Sequence, residues 1–472
     1  MAASSSPPHV VIFPFTAQGH TLPLLDISKA LSFRGLKVTI ITTPLNAPFI
    51  HSKVSDHISS ISVSVSVIPF PIVPDLPQGC ENTANLPSVS LDILASFITA
   101  TKNMKQHFEA LLKEMVETGS RPICVISDFF LYWTLDTCRT FGIPRVVSHG
   151  MGVLPMLILK HNSDICKTSS EFDVIELPSL TLPFTLNGSD LPVCDPDDPF
   201  TRVILEVEEA DKNSWGVIVN SFQELEGEYV TALEGLYYKE ARAWCVGPVL
   251  LYDYIQEQSR ASDGKSQSCG PYIEWLDKQE GSSVVIYVSF GTQARLSNEQ
   301  MDEIAYGLEM ARQRFIWVVG SLGMWVPDEG WVRRVEGRGL VVRDWVDQRS
   351  ILAHPKVGGF VSHCGWNSVL ESLSMGVPLL AWPLGAEQPL NAKFVAMGLK
   401  AGLMVSEEQV KTIDRQVICE GVKELMEGKK GRSTRERARE LGTMAWNAVK
   451  KGGSSDGKLD ELINRLIHIK RD

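Results

Sequence analysis

Two kinds of hydrophobic pattern alternate along the chain. Short apolar runs at 9–15, 37–43, 61–69, 123–128, 145–148 and 216–221 read as strands, and stretches of helical period such as 22–33 and 90–117 separate them. The segment 16–21 reads as a turn, with Pro23 tolerated in the first turn of the helix after it. The strands lack polar alternation. A strand apolar on both faces needs cover on both, and a parallel sheet flanked by helices supplies it. The rhythm breaks at 255–268, a polar stretch that reads as an interdomain linker or surface loop. It then restarts, with strands at 283–290, 315–319, 339–344, 358–362 and 378–381. Helices are expected at 297–312, 367–374, 387–397, 414–427 and 434–450, and a short amphipathic one at 458–469. The fold class is therefore α/β: two doubly wound, Rossmann-like domains facing a cleft, with ligands at the carboxyl ends of the strands. The expected boundaries are 1–250, a linker at 251–270, 271–455, and a C-terminal helix at 456–472 able to pack back on the first domain.

Composition narrows the partners. The chain has 472 residues, enough for two to three domains at roughly 150 residues each. Its net charge of −11 and lack of a basic block make nucleic acid or an anionic membrane a poor partner. A phosphate ligand would have to be held by local dipoles. The nine cysteines are widely spaced and include no C-x-x-C, which argues against a disulfide framework or a zinc site and fits a reducing compartment. The N-terminus shows no basic n-region or apolar h-region, and the apolar stretch 151–159 is too short to span a bilayer. A cytoplasmic, soluble monomer without membrane insertion is expected.

The most informative stretch is 345–388, WVDQRSILAHPKVGGFVSHCGWNSVLESLSMGVPLLAWPLGAEQ. Within it a buried strand, 358–362, ends in the turn His363-Cys-Gly-Trp366, and a helix starts with Asn367 or Ser368 as cap. A small-residue turn feeding a helix N-terminus is an anion site, offering free N–H groups and the positive end of the dipole. His363, Asn367 and Ser368 add donors for a diphosphate. Glu371 shares a helix face with Asn367 and Ser368. A carboxylate there suits two ribose hydroxyls. Trp345 can stack on a base, worth roughly 1–3 kcal/mol. Glu387 and Gln388 can bind neighbouring sugar hydroxyls. Ser289-Phe-Gly-Thr292, including Gly291, offers another backbone edge for phosphate.

This stretch closely resembles the signature box of plant secondary-product UDP-glycosyltransferases, without a gap from Trp345 to Gln388. H-C-G-W-N-S-x-x-E followed by G-V-P and W-P carries the match, which extends more loosely over the whole chain. The resemblance implies a GT-B fold, with an acceptor-binding first domain and a UDP-sugar-binding second. It implies that Trp345 stacks on uracil, that the Val346 backbone pairs with its edge, and that Gln348 and Glu371 bind ribose. It assigns His363, Asn367, Ser368 and the Gly365 backbone to the phosphates, and Trp366, Glu387 and Gln388 to the sugar. Gln388 favours glucose. Two positions depart from the family: Asp347 stands where Pro is usual, and Glu387 where Asp is common.

Transfer to an alcohol needs a base, and positioned proton removal contributes about 10²–10⁴ in rate. His20 follows the first strand and Asp128 ends the strand 123–128, both at the carboxyl edge. Imidazole suits the task near neutral pH, and a carboxylate fixes its tautomer. Both sit where the family places its base and the base's partner. The expected reaction is a single displacement with inversion, without a metal or other cofactor, the UDP-sugar being a co-substrate. Phe15, Gly19, Phe129 and Phe130 are expected near the acceptor, with the stretches 71–90 and 151–199. His149 either lines that pocket or caps a strand. The resemblance implies a flavonoid, phenolic or terpenoid acceptor.

Other signals carry less. Gly264-Lys265-Ser266 is similar to the end of a P-loop, but Ser259 replaces the first Gly. Asp195-Pro-Asp197 reads as turn residues rather than a metal-binding D-x-D, and Asn187-Gly-Ser189 fits a glycosylation acceptor that a cytosolic chain would not use. One rival is a nucleotide-dependent oxidoreductase, against which stands the absence of G-x-G-x-x-G. The other is a non-catalytic UDP-sugar binder, disfavoured by the presence of both His20 and Asp128.

Overall fold

The structure, a computed structural model, describes residues 7–55, 62–73, 76–87, 90–165, 173–177, 180–192, 195, 197–238, 241–260, 270–280, 284–292, 294–320, 325–406 and 412–469. Cys166, Cys194, Cys269, Pro196, most of the polar stretch at 255–268 and the Gly264-Lys265-Ser266 tripeptide lie outside the described residues. The chain forms two compact units. One comprises Met1–Asp164, Val193–Arg260 and Asn447–Asp472, the other Ile165–Pro192 and Ala261–Trp446. Neither is a single continuous stretch.

In chain order the strands are β1 (His9–Phe13), β2 (Lys37–Thr42), β3 (Val63–Val67), β4 (Cys124–Asp128), β5 (Arg145–His149), β6 (Val174–Ile175), β7 (Leu186–Asn187), β8 (Gly216–Val219), β9 (Arg242–Cys245), β10 (Val285–Ser289), β11 (Arg314–Val318), β12 (Gly339–Val342), β13 (Val357–Ser362), β14 (Leu379–Ala381) and β15 (Gly402–Met404). The first unit holds a parallel sheet in the order β3-β2-β1-β4-β5-β8-β9, and the second one in the order β12-β11-β10-β13-β14-β15. The residues of β1, β4, β5 and β10 are all buried, as strands covered on both faces must be. The edge strands β3, which alternates Val and Ser, and β12 keep no residue buried. In each sheet the order reverses beside the first strand of the unit, between β1 and β4 and between β10 and β13. Loops leaving the carboxyl ends there diverge and open a crevice.

Several elements differ from expectation for local reasons. The helix expected at 22–33 begins at Gln18, so Pro23 lies inside it and His20 is helical rather than in a turn. The stretch 90–117 is two helices, Leu91–Thr101 and Lys105–Glu117, joined by a 3-10 turn at Lys102–Met104. The expected linker begins as a helix, Leu250–Arg260. Its apolar anchor is confined to the first turn, where Leu250, Leu251 and Tyr252 are buried. Lys29 Nζ donates to Asp253 Oδ2 at 2.6 Å, tying that helix to Gln18–Phe33. The C-terminal helix Ser454–Ile467 packs on β9 within the first unit, and Ser455 donates to the carbonyl of Gly247. No helix among the described residues is long and apolar enough to cross a membrane.

Candidate active site

In the first unit, β1 and β4 run side by side, Phe13 in register with Ser127. The helix after β1 and the last residue of β4 therefore meet at the carboxyl edge. His20 Nδ1 lies 2.8 Å from Asp128 Oδ2. An ionised carboxylate only accepts, so Nδ1 carries the proton and the lone pair is on Nε2. Asp128 is 2 % exposed and His20 is 22 % exposed, which places the carboxylate behind and the ring in front. Asp128 Oδ1 accepts from the Phe130 amide at 3.0 Å, so its second oxygen is also fixed. Phe129 and Phe130 stack near the imidazole at 5.8 and 5.5 Å, and Phe15 meets it edge-on at 5.6 Å.

Phe15 is 1 % exposed, so it supports His20 and Phe130 from below and does not line an open pocket, as had been expected. Gly19 is exposed, while Phe129 and Phe130 each keep a sliver of surface. His149 ends β5 and stacks on Phe129 at 4.7 Å. Its Nε2 is 2.8 Å from Asp211 Oδ2. Lys160 donates to the same carboxylate, and so does the Tyr237 hydroxyl, at 3.0 Å. Burial pushes the Asp211 carboxyl up, but Lys160 and His149 together hold it well below the usual range. Sequence reasoning missed this network, because its members are spread over 89 positions with no shared motif. His149 Nδ1 is buried without a hydrogen-bond partner.

In the second unit, Ser289 and Ser362 are register partners, so the loops after β10 and β13 leave the sheet together. The helix after β13 is Trp366–Ser374, and its N-cap is Gly365 rather than Asn367 or Ser368. Asn367 and Ser368 fall inside the first turn, beside the open amide ends. Trp366, expected at the sugar, is 1 % exposed, so its indole packs in the core and what it offers a ligand is its N–H at the helix start. The His363 ring is wedged between glycines. A Cβ on Gly291, where φ is +80°, would lie 2.9 Å from His363 Nε2, and one on Gly365 would lie 2.6 Å from it. Both positions need glycine for this close approach.

His363 Nδ1 is sealed from solvent without a partner, and burial pulls the ring's pKa down to about 4. A histidine lowered from its ordinary 6.5 stabilises the fold when neutral. That contribution is complete above pH 6.5 and is lost as pH falls towards 4. His9 is buried and shifted down as well, so the parent alone does not isolate the effect. In urea unfolding between pH 6.5 and 4, His363→Asn is expected to lose stability less steeply than the parent. Equal slopes would show that His363 is not buried neutral. Neighbouring Cys364 is pushed up to about 12 by burial, which keeps its thiol neutral and unreactive.

Glu371 collects donors. Its Oε2 accepts from Gln348 Nε2 at 2.7 Å and its Oε1 from Arg349 Nε at 3.0 Å. Gln348 Nε2 also reaches Ser368 Oγ at 2.9 Å, and Tyr287 donates to Gln348 Oε1 at 3.2 Å. The structure thus brings Gln348, Ser368 and Glu371 together and adds Tyr287 and Arg349, which sequence reasoning missed. Asp347, the departure from Pro, caps the short helix Gln348–Leu352 through Arg349 N and Ser350 Oγ. Its own N–H donates to the Tyr272 hydroxyl at 3.1 Å, a bond proline could not make. Trp345 is 52 % exposed in the loop after β12 and Val346 is buried beside it. Glu387 caps the helix Gln388–Lys393, and Gln388 Oε1 accepts from the amides of Leu384 and Gly385 at 2.9 and 3.2 Å. Asn391, fully buried, donates to the Cys364 carbonyl at 2.9 Å and holds the turn that carries His363. Thr292 and Gly291 are exposed. No three His, Cys, Asp or Glu side chains converge as a metal site among the described residues.

Comparison with known proteins follows the same division. The family described as UDP-glucoronosyl and UDP-glucosyl transferase matches residues 256–438, and the one described as Glycosyltransferase, N-terminal domain matches 8–250. UDP-glycosyltransferase 73B1 of Arabidopsis thaliana is 35% identical over 98% of this chain and 97% of its own. UDP-glucose flavonoid 3-O-glucosyltransferase 7 of Fragaria ananassa is 37% identical, covering 97% and 96%. Among solved structures, Phytolacca americana UGT2 with UDP-2fluoro-glucose and pterostilbene superposes with a TM-score of 0.82 at 30% identity, over 98% of this chain and 100% of that one. Glycyrrhiza uralensis UGT73P12 with glycyrrhetinic acid 3-O-monoglucuronide gives 0.84 at 31%, over 98% and 96%.

Proposed function

The chain belongs to the UDP-glucoronosyl and UDP-glucosyl transferase family, with the GT-B fold of its plant members, and from that premise we propose that it transfers glucose from UDP-glucose, with inversion, to a hydroxyl of a small, largely apolar acceptor. Plant UDP-glycosyltransferases move a sugar onto small-molecule acceptors, and this chain is an enzyme of that kind. The observation that carries the finer reading is the His20–Asp128 pair, an imidazole with its lone pair outward and a buried carboxylate behind.

The chemistry follows from the residues. His20 Nε2 takes the acceptor proton, and Asp128 stabilises the imidazolium that forms. The oxygen attacks the anomeric carbon opposite the departing UDP, so the α-linked donor gives a β-glycoside. Charge developing on the diphosphate is met by the amides at the start of Trp366–Ser374, by Ser368 and by His363. These donors suffice for the reaction without a metal. Trp345 lies against uracil, Val346 meets its edge, and Gln348 and Glu371 take the ribose hydroxyls. Gln388, its oxygen already engaged, presents its NH₂ to the sugar, with Glu387 beside it. Acceptors with an aromatic or terpenoid body suit the Phe129 and Phe130 wall. Relatives named or solved with a flavonoid, a stilbene or a triterpenoid derivative agree with that class. A cytoplasmic monomer completes the reading.

A panel of phenolic and terpenoid alcohols with UDP-glucose, followed by product mass and anomeric coupling in NMR, tests it. Hexosides of β configuration, formed equally in a chelator, are expected. An α-glucoside would end the single-displacement scheme. Gly291→Ala should also weaken UDP binding about tenfold by calorimetry, since its Cβ displaces His363 and the residue must hold a positive φ. Unchanged affinity would remove His363 from the diphosphate site.

A further inference from the structure

We infer that the first unit carries a second small-molecule site, for an organic carboxylate with an apolar body, at the opposite edge of its sheet from His20. Strands β5, β8 and β9 begin at Arg145, Gly216 and Arg242. A cavity of about 270 Å³ lies at those amino ends. Asp128 and His149 close their strands at the other edge. The inference is therefore independent of the glycosyl-transfer chemistry.

Charge is the first argument. Four arginines, Arg139, Arg145, Arg242 and Arg465, are among the residues that line the cavity, and no described Asp or Glu is. In a chain of net charge −11 this is the reverse of the average surface. Arg145 is 1 % exposed. It donates to Ser127 and Thr134 at 2.8 and 3.1 Å, to Ser214 at 2.7 Å and to the Asp128 carbonyl at 3.2 Å, all neutral acceptors. A buried cation without a carboxylate in contact is costly, and burial pulls its pKa down. Arg139 bonds only the neutral Asn213, at 3.0 Å. Arg242 has Glu234 at 3.2 Å, and Arg465 has Glu461 at 3.3 Å, which Lys458 shares. Around the cavity Glu234 and Glu461 thus stand against Arg139, Arg242, Arg465 and Lys458, while the buried Arg145 feels the Asp211 and Asp128 carboxylates without touching them. An anion in the cavity would offset the excess.

Shape is the second argument. Trp215, half-buried, presents its ring to the cavity next to Ile143 and Leu135, and the buried Trp244 stacks behind it at 5.3 Å and 12°. Bare phosphate would leave that apolar wall unused. A planar acid uses both, its ring on the wall and its carboxylate on the guanidinium forks. The volume is near the lower end of small-molecule pockets and accommodates a two-ring acid.

The test is calorimetry on the full chain with 2-naphthoate, neutral 2-naphthamide and inorganic phosphate, each repeated with UDP at saturation. Naphthoate is expected to bind at least about tenfold tighter than the amide, unaffected by UDP. Arg139→Ala and Arg242→Ala, both at exposed positions that folding should tolerate, are each expected to weaken it about fivefold to tenfold, and Arg139→Lys less. Equal binding of acid and amide, binding of phosphate alone, competition by UDP, or undiminished affinity in both alanine variants would each overturn the site.

Discussion

Replacing His20 with alanine is expected to lower kcat by about 10²–10⁴ while leaving the affinity for UDP within a factor of about two. The argument is one of separable units. His20 and Asp128 belong to the first unit, and every residue proposed to hold UDP belongs to the second. Losing the imidazole removes the group that takes the hydroxyl proton, and no other base lies in contact with Asp128 among its hydrogen-bond partners. It also leaves Asp128, 2 % exposed, short of one partner, so a stability loss of about 1–3 kcal/mol should accompany the change. Kinetics must therefore be measured well below the variant's Tm.

Asp128→Asn separates chemistry from that structural cost. The shape is kept and the Phe130 amide still has its oxygen acceptor. Where Oδ2 stood, however, an NH₂ group now faces His20 Nδ1. Two donors cannot share a hydrogen, so the ring must turn Nδ1 into the acceptor and move its proton to Nε2. That tautomer has no lone pair for the substrate. A loss of about 10³ in kcat is expected with little change in Tm. Turnover surviving in both variants would mean that another group takes the proton.

How much of this was legible beforehand depends on whether the signal was local. The strand-turn-helix at 358–374 could be read because its parts are adjacent, and β13 and Trp366–Ser374 appear there. The cap, Gly365, lies two or three residues before the expected Asn367 or Ser368, since a glycine cap leaves no side-chain signature. The two doubly wound sheets were legible from apolar runs such as Val10–Phe13, but β9 was not. Its Arg242-Ala-Trp-Cys245 is a short edge strand with only three apolar residues, too brief to read as a strand. The family resemblance assigns Trp366 to the sugar, and its place after the first strand puts Phe15 near the acceptor, yet both rings are 1 % exposed. In both cases burial wins, because a ring at a helix start or under a loop gains more from the core than from water. Arg349 escaped notice because its partner Glu371 is 22 positions away and only the fold brings them within 3.0 Å.

That pair makes Glu371 the other position of large expected effect. The side chain is 8 % exposed and already accepts from Gln348 and Arg349, which fixes its rotamer for two ribose hydroxyls. Glu371→Ala removes both charge-assisted ribose contacts and strands Arg349 beside an empty site. Each such contact is worth about 1.5–3 kcal/mol, so the Kd for UDP should rise by about 10²–10⁴. Glu371→Gln should be nearly as harmful, because its NH₂ must face either the Gln348 amide or the Arg349 guanidinium, donor against donor. A purely structural role is distinguished with 2′-deoxy-UDP. The parent should prefer UDP by about tenfold or more, and Glu371→Ala should bind the two alike, since the group that senses the hydroxyl is gone. A parent that cannot tell UDP from its deoxy form would take the ribose away from Glu371, and with it the register in which the whole nucleotide is placed along the helix Trp366–Ser374.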